Sequence, residues 1–578
     1  MKNTPVQAQT AFLSGNEALA QGAFEAGLRV ACAYPGTPST EILEYLSQFQ
    51  ELDCQWSTNE KVAFEVAFSS AIAGVRSLFA SKHVGLNVAM DAFMTSAYVG
   101  TSAGFVIISC DDPGLHSSQN EQDNRLFAKA AKVPLLEPAS PCEAKEFIRR
   151  AFTISEQFDT PVMLRSTTRI SHTKENVRMG MRAVFAPKPF AVNIEKYVMV
   201  PRNAYKRHIE LEKKLVSLRR YSNSTPLNTV ELKNKKIGFV TSSVSYLYAK
   251  EMYPDASFLK LGFSYPVPDK LIQKFARAVK ELYVVEELEP FLEEELKVLG
   301  IRCHAKHPSL RIGELRPELI PYIVKGKARP LEPPAARKPT LCPGCMHRPV
   351  FTVLKKLKTV VTGDIGCYTL GATPPLLSLH TCLCMGAAIS FFEGFGRAGV
   401  TNRVGVIGDS TFVHAGIPAL INLAYNRARG VIIILDNGTT AMTGNQPHPA
   451  VGITIKGEAT VGLNLENLCK SCGTDFVCVV DPYNIKELHD LIKARIAARA
   501  LSVIIARAPC RLIDRSKHPA PCYDRDKCTQ CYLCLGIDCP ALRKTGGGLI
   551  AINDALCVGC NLCVDVCNFQ ALVRYEKT

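Results

Sequence analysis

GDSTFVHAGIPALINLAYNRARGVIIILDNGT, residues 408–439, opens where one apolar run (RVGVIG, 403–408) ends and closes just after the next (VIIILD, 431–436). Two short apolar runs separated by a helix-length stretch read as strand, helix and parallel strand, the repeating unit of an α/β sheet. The crossover brings both strand ends to one rim, where open α/β sheets bind ligands. Asp409 and Asn437 meet there, and a carboxylate with an amide oxygen suits Mg²⁺, which completes its octahedron with water and phosphate oxygens. Glycine at Gly408 lets the backbone approach a diphosphate closely, and the metal offsets the charge.

The same alternation recurs toward the N-terminus. LRVACAYP (28–35), GFVIISCDD (104–112) and PVMLRSTT (161–168) read as strands, with PSTEILEYLSQF and NEKVAFEVAFSSAIAG as intervening helices. Thr37 before Pro38 reads as an N-cap and first helical residue, which makes YPGTPST a strand-to-helix loop. A second alternation starts at KKIGFVTSS and fades near residue 310, and the Pro-rich 328–343 stretch reads as a linker. The expected division is an α/β domain over 1–178, a basic connector over 179–235, a small α/β domain over 236–327, the 328–512 domain holding the opening motif, and a cysteine-rich tail over 513–578.

The 578 residues exceed what a single core covers, and 47% hydrophobic with 21% charged residues is a globular balance. No apolar run approaches a bilayer span and MKNTPVQAQT lacks an apolar signal core, so a cytoplasmic protein without membrane association is expected. The net charge of +15 is spread out, and its densest patch (202–236) lacks aromatic interleaving, which argues against nucleic acid. A basic surface can instead attract an acidic redox partner.

Of 23 cysteines, nine follow residue 515. They form Cys528-x₂-Cys531-x₂-Cys534-x₄-Cys539-Pro540 and Cys557-x₂-Cys560-x₂-Cys563-x₃-Cys567, with Cys522 left over. Triplets with a more distant fourth cysteine fit paired [4Fe–4S] clusters better than zinc, the fourth thiolate of each run crossing to the other cluster. The expected sets are Cys528, Cys531, Cys534 and Cys567 for one cluster, and Cys557, Cys560, Cys563 and Cys539 for the other. Cys342 and Cys345 form a further C-x-x-C, with Cys367, Cys382 and Cys384 as candidate companions.

YPGTPSTEI and NEKVAFEVAFSSAIAG resemble the pyrimidine-binding half of the thiamine diphosphate-dependent 2-oxoacid:ferredoxin oxidoreductases. KHVGLNVAMDAFMTSAYVG (82–100), DDPGLHSSQNEQDNR (111–125), CPGCMHRPVF (342–351), GDIGCYTLG (363–371), TCLCMGAAIS (381–390) and TTAMTGNQPHP (439–449) resemble the large subunits of its indolepyruvate ferredoxin oxidoreductase branch, over essentially the whole chain. Met346 and Gly438 depart from that branch, Ser410 and Asp436 from the general thiamine diphosphate signature, and Asn568 from the Pro usual after a ferredoxin run. The resemblance implies a multidomain α/β fold of thiamine diphosphate-binding parallel-sheet domains, a transketolase C-terminal-like domain at 236–327, and a bacterial ferredoxin-like tail. It makes Glu60 the catalytic carboxylate on N1′ of the aminopyrimidine. Gly36, Thr37, Gly408, Asp409, Ser410, Asn437 and Thr439 would hold the cofactor, with Asp409, Asn437 and Thr439 on Mg²⁺. His83, His116 and His347 are candidates to polarise a carbonyl or move protons, and equally structural donors.

The implied reaction converts an arylpyruvate, CoA and oxidised ferredoxin to an arylacetyl-CoA, CO₂ and reduced ferredoxin, together with a smaller beta subunit in a heteromer. A non-oxidative thiamine decarboxylase would have no use for the tail. A related enzyme acting on aliphatic 2-oxoacids, and an electron carrier fused to an inactive scaffold, are the other readings.

Overall fold

The computed structural model describes residues 9–329 and 339–575. Most of the Pro-rich linker and the first eight residues lie outside them. The chain divides into two compact units, Met1–Pro333 and Pro334–Thr578.

The first unit is built on a seven-stranded sheet in the order Phe263–Tyr265, Leu135–Leu136, Val162–Thr167, Phe105–Asp111, Ser77–Lys82, Val30–Ala33, Asp53–Trp56. Every pairing is parallel except that of Phe263–Tyr265 with Leu135–Leu136. Phe105–Asp111 (FVIISCD) is buried at each position, as a strand covered by helices on both faces requires. A second sheet carries Glu281–Val285, Asn234–Thr241, Ala256–Leu261 and Asn228–Glu231 in that order. The basic stretch before it is a helix, Pro201–Ser222.

The chain returns from this second sheet to add Phe263–Tyr265 to the first, so the two sheets share one core that includes Phe64, Phe105, Leu259 and Phe291. Buried charge ties the same parts together. Arg125 donates to Asp123 (2.5 Å) and Glu286 (2.7 Å), and Arg165 to Asp111 (2.6 Å) and Glu137 (2.9 Å), with all six side chains essentially inaccessible. Removing one partner of a buried pair leaves the other charge uncompensated, so Arg125→Met is expected to cost about 3–5 kcal/mol, read as a fall in the denaturant midpoint.

The helix expected from Pro38 starts later. It runs Thr40–Leu46, and the preceding loop turns through a cis Thr37–Pro38 peptide. Gly36 O accepts from both the amide and the hydroxyl of Ser39 (2.7 Å each), closing a turn that keeps Thr37 and Pro38 out of the helix.

The second unit holds a five-stranded, wholly parallel sheet in the order Val360–Thr362, Arg403–Gly408, Gly430–Asp436, Leu501–Arg507, Phe476–Val480. Helices His347–Leu357 and Ile485–Ala497 pack on one another, and Ala387–Arg397 and Ile417–Tyr425 do likewise. The cysteine-rich tail is two short antiparallel pairs, Cys522–Tyr523 with Leu572–Val573 and Leu542–Lys544 with Ile550–Ile552, around a small core of its own. No helix among the described residues is long and apolar enough to cross a membrane.

Candidate functional site

In the first unit, Glu60 opens the helix Glu60–Ile72 directly after its N-cap, Asn59, whose side chain accepts from Val62 N–H at 3.0 Å. The helix leaves Glu60 only 7% exposed, while its neighbour Lys61 pairs outward with Glu65. A Cβ on Gly85 would stand 2.6 Å from Glu60 Oε1, so this glycine leaves the space that the carboxylate occupies. Lys82, at the end of its strand, passes its aliphatic stem over Gly36, where an added Cβ would lie 3.3 Å away. Its Nζ donates to Ser117 O (2.6 Å), and burial pushes the amine down to about 8 against the pull of Asp112 and Glu60. Ser117 Oγ donates to Thr37 O at 3.2 Å. Gly36, Thr37 and Glu60 therefore gather at the carboxyl ends of the parallel strands, with Lys82 and Asp112.

Of the candidate histidines, His83 is fully buried with Nε2 3.1 Å from Asn120 Oδ1, and His116 stands 3.7 Å from Glu314. His347 is buried with Nδ1 3.4 Å from Cys345 Sγ, and burial drives its ring down to about 4, which keeps it neutral.

The second unit brings Asp409 and the 437–439 loop together. Asp409 Oδ1 accepts from Ser410 N–H and Oδ2 from Gly438 N–H, both at 2.8 Å, and His448 Nε2 lies 3.2 Å from Oδ2. Asn437 Oδ1 accepts from Thr439 N–H (3.1 Å), and Ser410 Oγ meets Thr440 Oγ1 (2.8 Å). Gly438 has φ +72°, a left-handed backbone that favours glycine and aims its N–H at the carboxylate. A π-turn, Phe412–Gly416, follows Asp409 in the helix, a distortion common beside functional sites.

Three features fit a metal–diphosphate group here. Asp436 is raised by burial and by the adjacent Asp409 charge although Arg507 donates to it at 2.6 Å, so two carboxylates crowd this rim and Asp409 is the one without a guanidinium. His448 Nδ1 is buried without a partner. A Cβ on Gly408 would strike Tyr368 at 2.7 Å, so the floor is tightly built. Among the described residues no three His, Cys, Asp or Glu are grouped to hold a single ion. Mg²⁺ at this rim needs fewer, since phosphate and water supply the rest.

In the tail, Cys528, Cys531, Cys534 and Cys567 line one cavity with Tyr523 and Tyr532. Burial and the neighbouring Cys567 and Cys531 push the Cys534 thiol up to about 11. Burial, followed by Cys560, Cys539 and Cys557, pushes Cys563 up to about 12, and Cys539 is raised by burial with Cys557 beside it. Each run's fourth cysteine thus stands with the other run's triplet. Four thiols lining one cavity are a donor set of the size a [4Fe–4S] cluster takes. Cys522 is exposed.

Of the companions expected for Cys342 and Cys345, Cys367 lies with them and Cys382 and Cys384 do not. Cys345, raised to about 12 chiefly by burial, feels Cys367 and Cys342, and Cys367, raised to about 11 by burial, feels Cys510 and Cys342. Cys382 and Cys384 are exposed and feel Asp364 instead. Cys510 carries no sequence signal, since it stands alone beyond the strand Leu501–Arg507. Lys82, Asp112, Arg348, Asp364 and His448 each lie inside one of the distinctive blocks, which is the signal that points to them.

The family described as pyruvate flavodoxin/ferredoxin oxidoreductase, thiamine diphosphate-binding, matches residues 21–231. The thiamine pyrophosphate enzyme, C-terminal TPP-binding domain, matches 364–506. Indolepyruvate oxidoreductase subunit IorA of Archaeoglobus fulgidus is 38% identical over 98% of both chains. The subunit of the same name from Pyrococcus abyssi is 38% identical over 98% of this chain and 97% of its own. Among solved structures, the 2-oxoglutarate:ferredoxin oxidoreductase from Magnetococcus marinus aligns with TM-score 0.48 and 16% identity, over 55% of this chain and 65% of that one.

Proposed function

Since the chain belongs to the indolepyruvate oxidoreductase subunit IorA family, a set of thiamine diphosphate-dependent oxidoreductases, we propose that it oxidatively decarboxylates arylpyruvates such as indolepyruvate. CoA and oxidised ferredoxin are the co-substrates, and an arylacetyl-CoA, CO₂ and reduced ferredoxin are the products. The observation that carries this reading is that the Asp409–Asn437 rim and both four-cysteine sets belong to one compact unit. A decarboxylase that releases its product without oxidation needs no electron path. Bound thiamine diphosphate supplies the nucleophilic carbon that adds to the ketone and the electron sink that lets CO₂ leave.

On this reading, Glu60 holds the proton-bearing N1′ of the aminopyrimidine, and its burial excludes competing water. Gly36 and Thr37 line the same loop. Asp409, Asn437 and Thr439 hold Mg²⁺, and Gly408 and Ser410 bring backbone close to the diphosphate. The two cysteine sets would hold two [4Fe–4S] clusters, which would supply one-electron carriers on the way to ferredoxin. The smaller beta subunit completes the enzyme, and the protein works in the cytoplasm.

The test is a side-by-side rate measurement on enzyme produced with its smaller subunit. Indolepyruvate and phenylpyruvate should exceed pyruvate and 2-oxoglutarate by about tenfold or more in kcat/KM, a difference of about 1.4 kcal/mol in transition-state binding. Faster turnover of the aliphatic acids would overturn the substrate assignment and leave the reaction class standing.

A cofactor-binding prediction isolates the rim. At a hundredfold excess over Kd, Mg²⁺ with thiamine diphosphate should stabilise the protein by about 2.7 kcal/mol. Asp409→Ala should remove most of that shift in a thermal melt, while the tail keeps its iron.

A further inference from the structure

Arg348 is among the largest fully buried side chains, at 1% exposure, and it sits on the first turn of the helix His347–Leu357. Its fork is spent on backbone carbonyls of two distant segments. Nε donates to Cys342 O (3.1 Å) and Nη2 to Leu341 O, while Nη1 donates to Ile537 O (2.8 Å) and to Asp538 O. The guanidinium therefore joins the C-x-x-C segment to the residue immediately before Cys539.

Nearby packing makes the same junction. A Cβ on Gly344 would lie 2.3 Å from Val558 Cγ2 and 3.6 Å from Cys560 Cβ, and Tyr483 Oη donates to Gly344 O. The positive charge of Arg348 acts on the thiols of Cys539, Cys560 and Cys345. Asp538 Oδ2 faces the guanidinium at 3.5 Å with a fifth of its side chain exposed, so solvent weakens its opposition. The other cysteine set is more open, with Cys531 exposed and Leu533 and Phe569 each 46% exposed beside it.

We propose that Arg348 is a positioning residue for electron transfer: it fixes the cluster held by Cys539, Cys557, Cys560 and Cys563 against the Cys342–Cys345 segment and raises that cluster's reduction potential. A reduced cluster carries one more negative charge than an oxidised one, so a buried cation at its edge favours reduction, and net charge and burial are established determinants of such potentials. Electrons then enter the tail at this cluster and leave from the more open one. Each step moves one electron and no atoms. The inference rests on the two-cluster reading of the tail.

The test is an EPR-monitored titration of the full enzyme with dithionite as electron donor, comparing wild type with Arg348→Met, Arg348→Lys and the exposed control Arg397→Met, at the end of the helix Ala387–Arg397. In Arg348→Met, one of the two tail clusters should show a reduced-to-oxidised ratio about tenfold lower at fixed potential, a 59 mV shift for one electron. Arg348→Lys keeps the charge and should shift the ratio less than about threefold, and Arg397→Met should shift neither cluster. Equal movement of both clusters, no movement, or a Lys variant that moves as far as Met would overturn the proposal. Loss of tail iron from Met alone would reduce Arg348 to a mechanical clamp and overturn it too. Failure of the underlying reading looks different: wild-type enzyme would then lack two separate cluster signals.

Discussion

Glu60→Gln is expected to lower kcat on arylpyruvates by about 10² to 10⁴-fold, the range attributed to a positioned proton-transfer group. That is about 2.7 to 5.4 kcal/mol of transition-state stabilisation at 1.36 kcal/mol per decade. The substitution keeps the shape of a side chain that is 7% exposed and packed against Gly85, so the helix start and its Asn59 cap should persist. The amide cannot hold the N1′ proton as a carboxylate does, so the loss should fall on kcat while cofactor affinity and iron content stay near wild type. Anaerobic mixing with indolepyruvate reads this directly, because wild-type clusters bleach as they accept electrons and those of the variant should not. Bleaching at the wild-type rate would remove Glu60 from the chemistry.

The second large effect concerns the tail. Cys567→Ala should abolish one cluster signal and about half of the tail iron, and it should be the same signal that Cys531→Ala abolishes, because both are assigned to one four-thiolate set. Cys539→Ala should abolish the other signal, the one also lost in Cys560→Ala. The reason lies in how the thiols sort: Cys567 lines the cavity of the first run, and Cys539 stands with Cys557, Cys560 and Cys563. Ligation within each run would pair the losses the opposite way, Cys567 with Cys560 and Cys539 with Cys531. Either single loss should interrupt ferredoxin reduction while leaving the thiamine diphosphate-induced thermal shift in place, since the rim and the tail are separate donor sets.

Much of the site is legible in the chain because its signals are local. The strand expected at 403–408 is Arg403–Gly408, and that at 431–436 is Gly430–Asp436, since a strand buried on both faces shows as an unbroken apolar run. Asp409 and Asn437 meet because a parallel crossover places consecutive strand ends on one rim. The cysteine runs announce themselves by spacing. The Thr37–Pro38 expectation failed because a capping preference is a weak local term, and the turn closed by Gly36 and Ser39 outweighs it.

Other features have no local signal. Phe263–Tyr265 is three residues long, and its membership in the seven-stranded sheet depends on the partner edge Leu135–Leu136. Arg348 reads in sequence as one more basic residue, and its burial depends on carbonyls at 341–342 and 537–538 converging on it. Cys510 comes beside Cys367 only through the folding of the parallel sheet. By itself, then, the sequence determined the α/β class, the strand ends that carry Asp409 and Asn437, and the two cysteine runs, because periodicity and spacing act over a few residues. Tertiary structure alone decided which carboxylate is buried, which thiols keep company and where the Arg348 guanidinium is held, because burial and charge compensation depend on segments far apart in the chain.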